Sequence, residues 1–131
     1  MRTENKFPAF SKYVCAGDSV SVNCGPYTIS ALIVPDNDTR ATDFDCYTPK
    51  QLEAWKRGEW QLYGMILSVW VDDYRLDSHA ASLWGIDCNF QGYDALPGSD
   101  NAYLQEIAND LLPEALERAE TIRASLLAKL A

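Results

Sequence analysis

The run Trp60–Val71 (WQLYGMILSVWV) limits most severely what this chain can become. Side chains alternate across a strand, so Tyr63, Met65, Leu67, Val69 and Val71 share one face, while Trp60, Leu62, Ile66 and Trp70 share the other. A strand apolar on both faces needs pairing neighbours and cover above and below, which places it at the centre of a sheet. The chain supplies the neighbours. Asp18–Cys24 alternates Val20, Val22 and Cys24 with Ser19, Ser21 and Asn23, the pattern of a half-buried strand. Tyr27–Val34 reads as a second strand, stopped by Pro35, with Gly25-Pro26 as the hairpin turn between them. Asp72, Asp73 and Arg75 begin a turn after the central run, and Ala80–Cys88 reads as a fourth strand paired with it.

Helical signals fall in two places. Thr48-Pro49-Lys50-Gln51 combines a capping threonine, proline at the first helical position and a capping-box glutamine, and predicts a short helix ending near Gly58. Ser99 or Asp100 can cap a long C-terminal helical region, where Leu104, Ile107, Ala108, Leu111, Ala115, Ala119, Ile122, Leu126 and Leu130 form one apolar stripe. Pro113 removes one amide donor, so a kink or two abutting helices is expected there. The predicted fold is α+β, in the order ββ-α-ββ-α. Its four-stranded, mostly antiparallel sheet carries the C-terminal helical region on one face. With 131 residues the chain fits one domain, 13–131, after a loose arm over 1–12 that Phe7 and Phe10 can pin.

A net charge of −8 argues against direct binding to nucleic acid or an anionic membrane and favours a partner with a basic surface. Twelve of the nineteen acids lie between residues 36 and 100. Spread evenly over a folded surface of roughly 6,900 Å², the net charge is about eightfold more dilute than that of duplex DNA, which carries one charge per roughly 100 Å². Mimicry of nucleic acid therefore requires these acids to converge on one face. No run approaches a membrane span of ~20 apolar residues. Met1–Lys12 is polar and broken by Pro8, unlike a signal peptide, so a cytoplasmic location and free thiols at Cys15, Cys24, Cys46 and Cys88 are expected.

The chemistry-bearing residues form no recognised motif. The cysteines lack the close pairing of zinc sites, and no metal or cofactor is expected. Asp36-x-Asp38 resembles the opening of a calcium loop, but Ala41 and Tyr47 stand where glycine and glutamate would be required. Asp77-Ser78-His79 holds the only histidine, and adjacency in sequence does not make a catalytic pair. Of the tryptophans, Trp70 and Trp84 are expected in the core and Trp55, near the end of the short helix, at the surface.

The segment Asp43-Phe44-Asp45-Cys46-Tyr47, with Trp55, Trp60, Ser82-Leu83-Trp84-Gly85-Ile86 and Asn101-Ala102-Tyr103-Leu104, resembles uncharacterised small acidic proteins carried by bacteriophages and mobile elements. The resemblance spans residues 36–118 and assigns no residue a role. It implies a context in which small proteins act on host machinery, including defence nucleases. The expected function is thus a protein-binding module, not an enzyme, that inhibits a host nucleic-acid-binding protein by acidic surface mimicry. Its contact residues would be Asp36, Asp38, Asp43, Asp45, Asp72, Asp73, Asp77 and Asp87, with Tyr47 and Trp55 as aromatic anchors. Two alternatives stand beside it: a small enzyme using His79 with a cysteine or an aspartate, and a homo-oligomer, such as a homodimer, joined through the C-terminal helix.

Overall fold

The structure, a computed structural model, describes residues 5–89 and 101–131. Strands β1 (Ser19–Cys24), β2 (Tyr27–Pro35), β3 (Gln61–Val71) and β4 (Tyr74–Cys88) form an antiparallel meander in the order β1-β2-β3-β4. The doubly apolar run is an inner strand, as its two apolar faces require. A short helix, α1 (Pro49–Lys56), lies between β2 and β3, and a long helix, α2 (Tyr103–Leu130), follows β4. This is the α+β arrangement expected from the sequence.

Local chemistry sets the turns and caps. Gly25 (φ +60°) and Pro26 close the first hairpin, and positive φ at the first loop position suits the twist of the flanking strands. Asp72 (φ 52°) and Asp73 close the β3–β4 hairpin the same way, since a short polar side chain tolerates the left-handed region. At α1, Thr48 Oγ1 accepts from the Gln51 N–H and the Gln51 side chain accepts from the Thr48 N–H, completing the capping box. The α2 caps proposed at Ser99 or Asp100 lie outside the described residues. Pro113 sits inside a single assigned helix, so the alternative of two abutting helices is set aside.

β4 is longer than the Ala80–Cys88 expected. It has 15 residues against 11 in β3, and register shifts near Tyr63/Met65, Leu67/Val69 and Val69/Trp70 absorb the difference as bulges. Each bulge breaks the period of two, which is why Tyr74–His79 read as a turn.

The two faces of the sheet differ. On one, Ile29, Ala31, Ile33, Met65, Leu67 and Val69 are fully buried against Leu104, Ala108, Ala115 and Ala119 of α2. Phe7 joins this core, and the arm is tied to α2 by the Phe7 N–H donating to Asn109 Oδ1 (2.8 Å) and Gln105 Nε2 donating to the Phe7 carbonyl (2.9 Å). On the other face, the described residues cover only one end. There Ala41, Ala54, Trp60 and Leu62 form a second, smaller core, flanked by Tyr47, Leu52 and Trp55. Trp60 is fully buried, and its indole N–H donates to the Gln51 carbonyl (2.9 Å). The rest of this face mixes polar side chains with Leu32, Ile66 and Trp70. Ser21, Ser30 and Ser68 lie in one register row, and the first two hydroxyls are 2.8 Å apart.

A buried polar lock closes the base of the domain. Asn89 and Asn101, both buried and both at positive φ, bond to each other twice. Asn89 also accepts from the Val14 N–H and donates to the Val14 carbonyl and to Gln61, while Asn101 donates to the Lys12 carbonyl. Full satisfaction is what makes two buried amides tolerable. Among the described residues, no helix is long and apolar enough to cross a membrane.

Candidate functional site

The eight aspartates singled out in the sequence do not form one field. Asp36 follows β2, whereas Asp72 and Asp73 form the hairpin turn at the opposite end of the sheet. The length of a nine-residue strand separates these ends, roughly 25–30 Å at ~3.4 Å per residue.

Four of the eight carboxylates are bound within the fold. Asp36 accepts from the N–H groups of Asp38 and Thr39 (both 3.1 Å) and, across the sheet end, from Gly85 (2.8 Å). Burial acts to raise its pKa, but these donors outweigh it and hold the carboxyl below its ordinary value. Asp43 accepts from the Arg40 N–H and closes a single 3-10 turn, Ala41–Asp43. Asp77 accepts from the His79 N–H (3.0 Å) and from Arg118 of α2 (2.9 Å), and again the bonds outweigh burial and lower its pKa. Asp87 accepts from the hydroxyls of Tyr47 (2.7 Å) and Tyr103, linking the smaller core to the start of α2. Burial, followed by the bond to this carboxylate, raises the pKa of both phenols. The other four, Asp38, Asp45, Asp72 and Asp73, are exposed.

Neither proposed aromatic anchor stands free. Tyr47 is half-buried, with its ring 4.8 Å from that of Trp60. Trp55 is half-buried beside the smaller core and lines a shallow cleft of about 490 Å³ with Asp36, Thr39 and Tyr63. The expectations for the tryptophans are corrected: Trp84 is 45% exposed, and Trp70 is half-buried on the open face with Arg75 stacked over its ring at 5.7 Å.

Trp84 owes its position to two glycines. Its ring lies against Gly64 of β3, so closely that a Cβ there would fall 2.2 Å from Trp84 Cε3. Gly85, at φ +72°, sits beside a register shift and has the Phe44 ring and Thr39 as neighbours. Phe44 is 39% exposed and packs edge-on against Tyr47, with centroids 6.0 Å apart. Trp84 and Phe44 therefore bring exposed apolar surface to one corner of the sheet, next to the loop bearing Asp38, Asp43 and Asp45. The aromatic chain Phe44–Tyr47–Trp60 connects this corner to the smaller core, so its surface rests on a packed support. The signal in the sequence was a glycine inside the most apolar strand, paired with Trp-Gly in the next.

Other reactive groups are dispersed. Cys88 is buried, and burial pushes its thiol up to about 12, which keeps it protonated and unreactive at neutral pH. His79 Nε2 lies 2.8 Å from Ser82 Oγ at the surface. Asp77, however, bonds the His79 backbone and Arg118, so it does not take the orienting role that a catalytic triad gives a carboxylate. Among the described residues, no three His, Cys, Asp or Glu side chains gather in a metal-binding arrangement. Comparison with protein-family models, curated proteins and solved structures finds no match to this chain.

Proposed function

We propose that this protein is a binding module that docks a partner protein at the Trp84–Phe44 corner. The observation that carries the reading is the exposure of Trp84 on a rigid strand, with its ring laid over Gly64. Aromatic groups held this way lose little freedom on binding and dominate interface energetics. The neighbouring carboxylates Asp38, Asp43 and Asp45 favour a partner with basic residues around an apolar centre, because complementary rims steer encounter and fix register. Inhibition of a host nucleic-acid-binding protein is the form of this reading in which the partner's basic surface is its nucleic-acid site. The separation of Asp72 and Asp73 from the corner favours this local acidic rim over a field spanning the whole molecule.

The test is affinity capture from a bacterial lysate by the wild-type chain, Trp84→Ala, Phe44→Ala and the double variant Asp72→Asn/Asp73→Asn. A specific partner should be retained by wild type and by the Asp72/Asp73 variant, lost with either aromatic substitution, and released as salt screens the rim. Equal capture by wild type and both aromatic variants, each verified as folded by circular dichroism, would refute the reading.

A further inference from the structure

A cross-strand row at the hairpin end of the open face carries chemistry that neither the core nor the Trp84 corner uses. Asn23, Thr28, Trp70 and Arg75 lie side by side on β1, β2, β3 and β4. The indole N–H of Trp70 donates to Ser68 Oγ (3.0 Å), and the guanidinium of its β4 neighbour Arg75 lies over the ring, 5.7 Å from the centroid. The same indole borders a hollow of about 320 Å³, completed by Thr28 and Ser30 of β2 and by the turn carboxylates Asp72 and Asp73. The ring is thus held by Ser68 and Arg75 while it still forms one wall of an open site.

The polar groups around the hollow are mostly acceptors. Asp72 and Asp73 are exposed, and neither side chain has a hydrogen bond or ion pair with another of the described residues. The Thr28 hydroxyl donates to Asn23 Oδ1 (2.9 Å), which leaves its lone pairs for a ligand. These properties sort the classes of ligand. A phosphate or carboxylate would meet two unneutralised carboxylates of its own sign. A wholly apolar group would strip those carboxylates of water and return no hydrogen bond. An organic cation would find the indole already engaged by the guanidinium of Arg75 and would be repelled by it. A neutral sugar ring meets none of these costs. Its C–H face packs on an indole, and the hydroxyls around its edge donate to carboxylates in charge-assisted bonds.

From this match we infer that the hollow binds a neutral saccharide unit, with Trp70 as the stacking platform and Asp72, Asp73 and Thr28 as acceptors for its hydroxyl groups. Trp70 and Gly64, on which Trp84 rests, are roughly 20 Å apart along β3 at ~3.4 Å per residue. The site therefore shares no residue with the Trp84–Phe44 corner, and the inference stands whether or not that corner docks a partner protein.

Isothermal titration calorimetry of the full chain tests it, with a panel of neutral oligosaccharides built from glucose, galactose, mannose or N-acetylglucosamine units. At least one should bind, and its affinity should change less than about twofold between low salt and about 0.5 M salt, because no ion pair forms. Trp70→Ala should abolish that binding. Asp72→Asn/Asp73→Asn preserves the turn, since asparagine tolerates the positive φ of position 72. It should weaken binding about tenfold or more, and it keeps the test decisive if Trp70→Ala fails to fold. No heat from any member of the panel at about 10 mM overturns the proposal. Saccharide binding that survives the two aspartate substitutions at full strength also overturns it. So does binding of spermidine that salt releases, with no saccharide bound, because the hollow would then be a cation site.

Discussion

The two faces of this sheet use the same strands under opposite rules. On the face beneath α2, Ile29, Ala31, Ile33, Met65, Leu67 and Val69 are withdrawn from water, and the helix supplies alanines where close approach is needed. On the other face, the serine row, Thr28 and Trp70 meet solvent except where α1 and its flanking loop cover Leu62. Burial on one side sets stability. Exposure on the other leaves room for recognition, and Trp84 sits where a glycine in the adjacent strand receives it. The lesson is that an inner strand apolar on both faces need not be buried on both. β3 has one face in a continuous core and the other only locally covered.

The comparison breaks most readily at adjacent positions of β3. Leu67→Ala on the covered face should cost about 3 kcal/mol, from lost transfer energy plus the cavity left behind. Ile66→Ala, one residue away and half-buried on the open face, should cost about 1 kcal/mol or less. Urea unfolding measures both, and equal losses would mean that the open face is covered in solution. Next comes the polar lock. Asn89→Ala orphans the Val14 and Asn101 groups and should cost about 2 kcal/mol in the same assay.

Gly64→Ala sharpens the contrast on the open face itself. The added methyl must displace the Trp84 ring, so a loss of about 1–2 kcal/mol should accompany a red shift in tryptophan emission. Emission identical to wild type would place Trp84 elsewhere. Asp77 tests the tie from the sheet to α2. Its folded-state pKa lies below the unfolded value of ~3.9, so its stabilisation is fully present above that pH and disappears as pH falls through the lowered folded value. Asp77→Asn should flatten the stability profile below about pH 4 and leave its shape at neutral pH unchanged. The smallest effect is expected at the serine row, where Ser30→Ala should stay within about 0.5 kcal/mol because the hydroxyl regains water.

Signals carried by neighbouring residues were legible in the sequence. The Gly25-Pro26 hairpin, the Thr48/Gln51 capping box, the α2 stripe and the inner position of Trp60–Val71 all follow from local periodicity and turn chemistry. The ββ-α-ββ-α order follows from them. The candidate site was not legible as a unit. Trp84 read as core because an apolar strand pattern does not reveal that a bulge turns the ring onto a glycine. Asp36, Asp77 and Asp87 read as free surface charge because their donors lie far away in sequence, at Gly85, Arg118 and the two tyrosines. The lock between Asn89 and Asn101 gave no composition signal at all.

The amino-acid sequence by itself determined the class of fold, the strand and helix order and the excess of acid, because these depend on residues within a turn or two of each other. The tertiary structure alone decided which carboxylates remain free, which tryptophan faces solvent and which leucines of α2 stay exposed. Those outcomes depend on strand register, and register brings together residues whose spacing along the chain carries no trace of their meeting.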